Sequence, residues 1–196
     1  MRGNSDIPFF LVIMVLLSLL GVMSVCMVIA IHNDLPVDII EKHQQETVLD
    51  IWLPVAETID LMTSLSEQEV DDVTDAYVDI FSTVRNRNLM PYVLGIMVVE
   101  SGCNYRSAHS KSSARGIGQI IYKYHPELAD KGISEKDLTS DIYKSIMATY
   151  LVLERYWIKN DFHYKKAIFA YRGRDYETYY NRVTEIACML GSKILR

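Results

Sequence analysis

The fold is decided by residues 90–119, which read MPYVLGIMVVESGCNYRSAHSKSSARGIGQ. An apolar run of helical length ends at Glu100, Gly102 can cap that helix, and a polar loop then leads into a Gly-x-x-Gln turn at residues 116–119. Burial at the negative end of a helix disfavours the charged form of a carboxyl group. A carboxyl group that stays protonated near neutral pH can donate a proton to a leaving group, so the sequence predicts that Glu100 is a general acid.

Three short motifs follow one another in the order seen in a known family. They are Glu100-Ser101, Gly116-Ile117-Gly118-Gln119 and Ala170-Tyr171. In order and spacing they resemble the signature motifs of the SLT-type (goose-lysozyme-like) lytic transglycosylases, and the resemblance covers about residues 90–183. It implies an all-α, lysozyme-like helical domain that acts on peptidoglycan.

The resemblance also implies a role for each matched residue. Glu100 would protonate the glycosidic oxygen between N-acetylmuramic acid and N-acetylglucosamine. As a carboxylate it would then deprotonate the muramoyl 6-hydroxyl, which closes a 1,6-anhydro ring. Such enzymes use one acid, and no residue from 101 to 119 is acidic. The residues expected to bind substrate are Ser101, Gly116, Gln119, Tyr171 and Arg172, and the hydroxyl of Tyr171 is also expected to reach the catalytic acid.

Two positions depart from the family pattern. Gly118 adds a glycine that could loosen the turn, and Arg172 stands where the family usually has Asn. These departures favour one alternative, a catalytically degenerate peptidoglycan-binding or scaffold subunit. A second alternative is a lysozyme-type hydrolase with water as the nucleophile, and a third is a membrane adaptor whose motifs arise by chance. Ser101 could also simply cap its helix, and Tyr171 could be a core residue.

The N-terminal part of the chain carries a long apolar run. Residues 9–31 contain no charged side chain, and a helix of that length is about 34 Å long, enough for a hydrocarbon core of about 30 Å. The apolar region of a secretory signal is shorter, roughly 7 to 15 residues. We predict an uncleaved transmembrane anchor over residues 9–32, residues 1–8 in the cytoplasm, and the remainder in the periplasm of a bacterial cell or delivered with a phage virion.

Helical periodicity organises the rest of the chain, and no strand of convincing length stands out. We expect a helical connector over residues 33–65 and the catalytic domain over residues 66–196. Within the domain, Ser66 and Glu69 form a capping box. The predicted helices are 66–85, the run that ends at Glu100, 126–131, 141–159 with Ser140 as its N-cap, 165–171 and 176–190.

Composition excludes several functions. The 196-residue chain has a net charge of -5 and a pI near 5.5, which gives it no electrostatic footprint for nucleic acid. Its histidines lack metal-ligand spacing, so we expect no metal or cofactor. Cys103 and Cys188 could pair, although two free buried thiols are favoured. The expected partners are glycan strands, the cytoplasmic membrane, and an envelope-spanning secretion complex or virion proteins.

Tyrosine is abundant towards the C-terminus. The aromatic ring with its polar hydroxyl suits a saccharide groove, and we expect two or three of these residues to contact glycan. The cluster comprises Tyr122, Tyr124, Tyr143, Tyr150, Tyr156, Tyr164, Tyr171, Tyr176, Tyr179 and Tyr180.

Overall fold

The computed structural model describes residues 37–173 and 176–194. The described chain is mostly helical, which confirms the all-α prediction. Its helices are α1 (Val37–Met62), α2 (Glu67–Thr83), α3 (Met90–Ser101), α4 (Glu127–Asp130), α5 (Asp137–Ser140), α6 (Ile142–Lys159), α7 (Tyr164–Arg172) and α8 (Glu177–Ile194). Short 3-10 turns lie at Arg87–Leu89 and Tyr122–Tyr124.

The predicted membrane span, residues 9–32, lies outside the described residues. Within residues 37–173 and 176–194, no helix combines the length and the apolar character needed to cross a bilayer. Helix α1 includes much of the predicted connector, and Val55 and Ile59 on this helix are fully buried. The compact unit that carries the catalytic candidates runs from Val48, so residues placed in the connector contribute to the core of the domain.

Helix α2 begins as predicted. The carboxylate of Glu69 accepts hydrogen bonds from the backbone N–H of Ser66 at 3.1 Å and from its hydroxyl at 2.9 Å. This capping box satisfies a backbone donor that the first helical turn cannot pair internally. The buried face of α2 includes Val73, Tyr77 and Ile80.

Helix α3 is the centre of the domain. A helix that is apolar on all sides must be buried on all sides, and Leu94, Ile96 and Met97 have no exposed surface. Helix α3 packs mainly against α8 and also against α6. Gly95 permits the close approach of α8, because a β-carbon at this position would lie 2.5 Å from the carbonyl oxygen of Val183.

Two very short strands follow the polar loop. Strand β1 (Ala114–Arg115) pairs antiparallel with β2 (Ile120–Ile121), and Ala114 lies opposite Ile121. Strands of two residues are too short to show an alternating pattern, so the sequence did not predict them. The Gly-x-x-Gln turn lies between the strands, and a small second core of Ile120, Leu128, Ile133, Leu138, Ala148 and Val152 holds this region against α6.

The start of helix α6 differs from the prediction. Its N-cap is Asp141, whose carboxylate accepts a hydrogen bond from the backbone N–H of Lys144 at 3.0 Å. The predicted cap, Ser140, is the last residue of α5, and its hydroxyl donates to the carbonyl oxygen of Lys136 instead. The chain therefore makes a separate helical turn before α6, and the carboxylate takes the capping position.

The two cysteines outside the predicted span are both free. Cys103 is buried and Cys188 is exposed. The favoured alternative of two unpaired thiols is confirmed, but the expectation that both would be buried is wrong for Cys188.

Candidate active site

Glu100 lies in the last turn of α3. Gly102 ends the helix in the left-handed conformation, with φ of 61°, as predicted. Only 10% of the Glu100 side-chain surface is exposed. Burial raises the pKa of Glu100 above its ordinary value of 4.5, and the Tyr179 hydroxyl and the Arg172 guanidinium partly offset that rise. The net direction favours the protonated carboxyl that a general acid requires.

Two side chains from the C-terminal helices face Glu100. Nη1 of Arg172, at the end of α7, lies 3.6 Å from Oε2 of Glu100. The same guanidinium lies over the ring of Tyr179 on α8, 5.4 Å from its centroid. Burial and the nearby carboxyl both raise the pKa of Tyr179, so this phenol is neutral at neutral pH. Its buried hydroxyl has no hydrogen bond of good geometry among the described residues.

Ser101 connects the end of α3 to the Gly-x-x-Gln turn. Its hydroxyl is 2.7 Å from the carbonyl oxygen of Ile117 and 3.2 Å from that of Met97. The second contact is the helix-end interaction that the sequence allowed, and the first one joins two of the three motifs. Ser101 therefore fixes the position of the turn relative to Glu100.

Two residues of the turn have a positive φ. Gly116 has φ of 77°, and a β-carbon there would lie 2.3 Å from the carbonyl oxygen of Leu138. Gln119 also has a positive φ, of 51°. Its side-chain nitrogen donates to the carbonyl oxygens of Gly116 at 3.0 Å and Ser107 at 3.3 Å. The amide oxygen of Gln119 has no donor among the described residues and is available to a sugar hydroxyl or acetamido N–H.

Helix α6 supports the turn through Ser145, a residue that the sequence analysis missed. Its buried hydroxyl accepts the N–H of Ile117 at 2.9 Å and donates to the carbonyl oxygen of Leu138 at 2.8 Å. The available signal was a small polar residue next to the apolar stripe of this helix. Buried polar groups of this kind are normally hydrogen-bonded, so Ser145 pointed to a nearby irregular backbone segment.

Tyr171 reaches the turn from α7. Its hydroxyl donates to the carbonyl oxygen of Gly118 at 2.8 Å. The resemblance implied that this hydroxyl reaches the catalytic acid. The hydrogen bond of this hydroxyl goes to the turn instead. Burial raises the pKa of Tyr171, and the negative charge of the nearby Glu100 carboxyl raises it further.

Gly118 is required by this arrangement. A β-carbon at this position would lie 2.3 Å from Oγ1 of Thr149 and 2.4 Å from the hydroxyl oxygen of Tyr171. The sequence suggested that a second glycine would loosen the turn. In the structure it lets two helices close on the turn, so Gly118 has a packing role.

The structure thus brings all the predicted site residues into one connected group. Ser101, Gly116 and Gln119 build and fasten the turn, Tyr171 binds the turn, and Arg172 contacts Glu100. The residue that sequence reasoning failed to single out beside Glu100 is Tyr179, which it included in the broad tyrosine cluster. Elsewhere in the chain that the structure describes, no group of three His, Cys, Asp or Glu side chains could hold a metal ion.

A helical domain that holds one buried acid against a glycine-rich turn has the features of a lysozyme-like glycan-cleaving domain. Residues 80–175 match the family model of the transglycosylase SLT domain, so this segment of the chain belongs to that domain family. Its members are lytic transglycosylases that act on peptidoglycan. No curated protein and no solved structure matches the chain. The matched segment contains Glu100, the turn and Arg172, whereas Tyr179 lies beyond it.

Proposed function

We propose that this protein is a peptidoglycan lytic transglycosylase that cleaves the bond between N-acetylmuramic acid and N-acetylglucosamine and leaves a 1,6-anhydro-muramoyl end. The observation that carries the proposal is the state of Glu100. Its carboxyl is almost completely buried at the end of α3, and burial favours the protonated form. It faces Arg172 and Tyr179, and the adjacent Ser101 is hydrogen-bonded to the turn.

The reaction follows from one carboxyl group used twice. Glu100 gives its proton to the glycosidic oxygen, which leaves with the departing sugar. The resulting carboxylate then takes the proton of the muramoyl 6-hydroxyl, whose oxygen bonds to the anomeric carbon and closes the anhydro ring. Glu100 ends the cycle protonated, so atoms and charge balance without added water. The substrate's acetamido group stabilises the cationic centre between the two steps.

The proposed reaction and inverting hydrolysis differ in the number of carboxyl groups that they need. Inverting hydrolases need a second carboxylate, about 6.5–9.5 Å from the acid, to activate water. Among the described residues, the groups that act on the pKa of Glu100 are Tyr179 and Arg172, and neither is a carboxylate. An internal hydroxyl that Glu100 itself deprotonates needs no second acid.

In this proposal the other predicted site residues either contact the sugar or hold the turn in place. The backbone at Gly116 approaches the saccharide, Gln119 offers its amide oxygen, and Ser101 and Tyr171 hold the turn at the correct distance from Glu100. Arg172 is sufficiently exposed, at 42% of its side-chain surface, to contact substrate as well.

The proposed setting is the outer face of the bacterial cytoplasmic membrane. The apolar residues 9–32 would anchor the chain there, and the catalytic domain would act in the periplasm. A local opening of the wall suits an envelope-spanning secretion complex or a phage particle, both of which must cross the peptidoglycan layer. Protease accessibility in spheroplasts tests this topology, because the domain should be digested from outside only if it faces the periplasm.

The test of activity is digestion of purified sacculi by the full-length chain in mild detergent, with the muramoyl ends identified by mass spectrometry. We expect 1,6-anhydro ends from the wild-type chain. Glu100→Gln should lower the rate by about 10²- to 10⁴-fold, the usual contribution of a general acid. Glu185→Gln, at an exposed position on α8, is the matched control and should cleave normally.

Two outcomes would contradict the proposal. Reducing muramoyl ends would identify a lysozyme-type hydrolase. An inert wild-type chain that still binds insoluble peptidoglycan would identify a degenerate binding subunit.

A further inference from the structure

The guanidinium of Arg172 occupies a defined position between an acid and an aromatic ring. It is 3.6 Å from the carboxylate oxygen of Glu100 and 5.4 Å from the ring centroid of Tyr179. Arg172 is the last residue of α7, and Gly173 ends the helix immediately afterwards with φ of 80°. A cation is favoured at this end of a helix, so the helix terminus, the ring and the carboxyl group all hold the charge in this place.

We propose that Arg172 is a positioning residue whose guanidinium holds the carboxyl of Glu100 towards its ionised form and so sets the upper pH limit at which Glu100 can donate a proton. The consequence for catalysis rests on the proposed function, whereas the effect on the Glu100 carboxyl does not. Arg172 occupies the position where the SLT motif usually has an uncharged Asn.

The charges around Glu100 support a specific effect of Arg172. The titratable groups that face Glu100 among the described residues are Arg172 and Tyr171 from α7 and Tyr179 from α8. The pKa values of both tyrosines are raised, first by burial, so both phenols are neutral in the pH range where enzymes of this kind work. An arginine side chain stays charged throughout that range. Arg172 is therefore the permanent charge in this set.

Burial and the ion pair act on Glu100 in opposite directions. Burial raises the pKa of Glu100, and the guanidinium lowers it. Proton donation fails as the pH rises through the pKa of the acid, so the cation at position 172 shifts the alkaline limit of activity to lower pH. Removing the charge should extend activity to higher pH.

Arg172 contributes a planar contact with Tyr179 as well as a positive charge. The guanidinium is planar and can lie over the Tyr179 ring while its edge faces the carboxyl group. A lysine keeps the charge but loses the planar contact. Arg172→Gln removes the charge at similar length, so the Lys and Gln variants distinguish charge from packing.

The decisive experiment is a pH titration of the Glu100 carboxyl carbon by NMR in the full-length chain, labelled with ¹³C-glutamate. The Glu100 signal is assigned by its disappearance in Glu100→Gln. Arg172→Gln should move the midpoint to higher pH, and Arg172→Lys should leave it near the wild-type midpoint. The matched control is Arg155→Gln, because Arg155 pairs with Glu127 at 2.6 Å rather than with Glu100, and it should leave the midpoint unchanged.

The activity profile gives a second readout. The measured quantity is the ratio of the rate at a pH above the wild-type limit to the rate at low pH. In Arg172→Gln this ratio should be about three- to tenfold higher than in wild type, since one unit of pKa changes the protonated fraction tenfold. Thermal melts establish that each variant folds.

The outcomes are separable. An unchanged NMR midpoint in Arg172→Gln, or an equal shift in Arg155→Gln, overturns the proposal. A higher KM with an unmoved pH profile also overturns it and makes Arg172 a sugar contact only. Should the wild-type chain produce no anhydro ends, the proposed function fails, and the NMR midpoints still decide the role of Arg172.

Discussion

Gly118→Ala is the substitution that most directly tests how the site is assembled. The added β-carbon would lie 2.3 Å from Oγ1 and 2.9 Å from Cγ2 of Thr149, and 2.4 Å from the hydroxyl oxygen of Tyr171. Packed atoms are usually about 3.5 Å or more apart. The two oxygens would therefore have to move by about 1 Å.

Both oxygens are already engaged. The Thr149 hydroxyl donates to the carbonyl oxygen of Ser145 at 3.0 Å, and the Tyr171 hydroxyl donates to Gly118 at 2.8 Å. Overpacking of a core costs about 1–3 kcal/mol, and losing one hydrogen bond costs about 1 kcal/mol more. We expect Gly118→Ala to lower the free energy of unfolding by about 2–4 kcal/mol.

The assay is thermal unfolding followed by circular dichroism. For a domain of this size, 1 kcal/mol corresponds to about 2–4 °C, so the midpoint should fall by about 4–16 °C. Adding Thr149→Ala to the variant removes one of the two clashing side chains and should recover part of the loss, which a double-mutant cycle measures.

The matched control is Gly191→Ala. A β-carbon at Gly191 would meet nothing within 4 Å, and alanine inside a helix is about 0.5–1 kcal/mol more favourable than glycine. The control should therefore raise the midpoint. Should Gly118→Ala melt at or above the wild-type temperature, the close packing of α6 and α7 on the turn is refuted.

Three further variants test the packing and the charge state of the site. Gly95→Ala would press against the backbone of Val183 and should cost about 1–3 kcal/mol in urea denaturation, and an unchanged free energy of unfolding would contradict the close approach of α8 to α3. Ser145→Ala leaves the buried N–H of Ile117 unpaired and should cost about 1–3 kcal/mol, whereas Ser145→Thr, which retains the hydroxyl, tests whether the bond or the volume matters. Because burial raises the pKa of Glu100 above 4.5, the unfolded chain releases this proton first, and wild-type stability falls as the pH rises from about 4.5 towards the folded-state pKa. Glu100→Gln should therefore be more stable than wild type at pH 7, by about 1.4 kcal/mol per unit of pKa shift, and as stable as wild type at pH 3.5. An equal difference at both pH values would contradict the raised pKa of Glu100.

The sequence predicted those parts of the fold that depend on local chemistry. The capping box at Ser66 and Glu69 and the glycine cap at Gly102 are local, because each is formed by residues within a few positions of one another. The apolar run before Glu100 predicted a buried helix for the same reason. The family motifs also identified Glu100 and the turn as site residues, because the order and spacing of these motifs can be read directly from the sequence.

The missed features depend on residues far apart in the chain. Tyr179 faces Glu100 only because α8 packs on α3, and Ser145 supports Ile117 only because α6 lies beneath the turn. Neither contact leaves a periodic pattern. The predicted N-cap of α6 is one residue too early. Ser140 and Asp141 are both good N-cap residues, and the sequence alone does not show which of them takes that position.

The two departures from the family pattern bear on whether the site works. A degenerate site accumulates substitutions that have no partner, but Gly118 and Arg172 each have partners. Gly118 leaves room for the hydroxyls of Thr149 and Tyr171, and Arg172 pairs with Glu100 and lies on a neighbouring ring. Gly118 thus lets α6 and α7 close on the turn, and Arg172 places a cation beside the acid. Such paired changes favour the proposed lytic transglycosylase over a scaffold that has lost its chemistry.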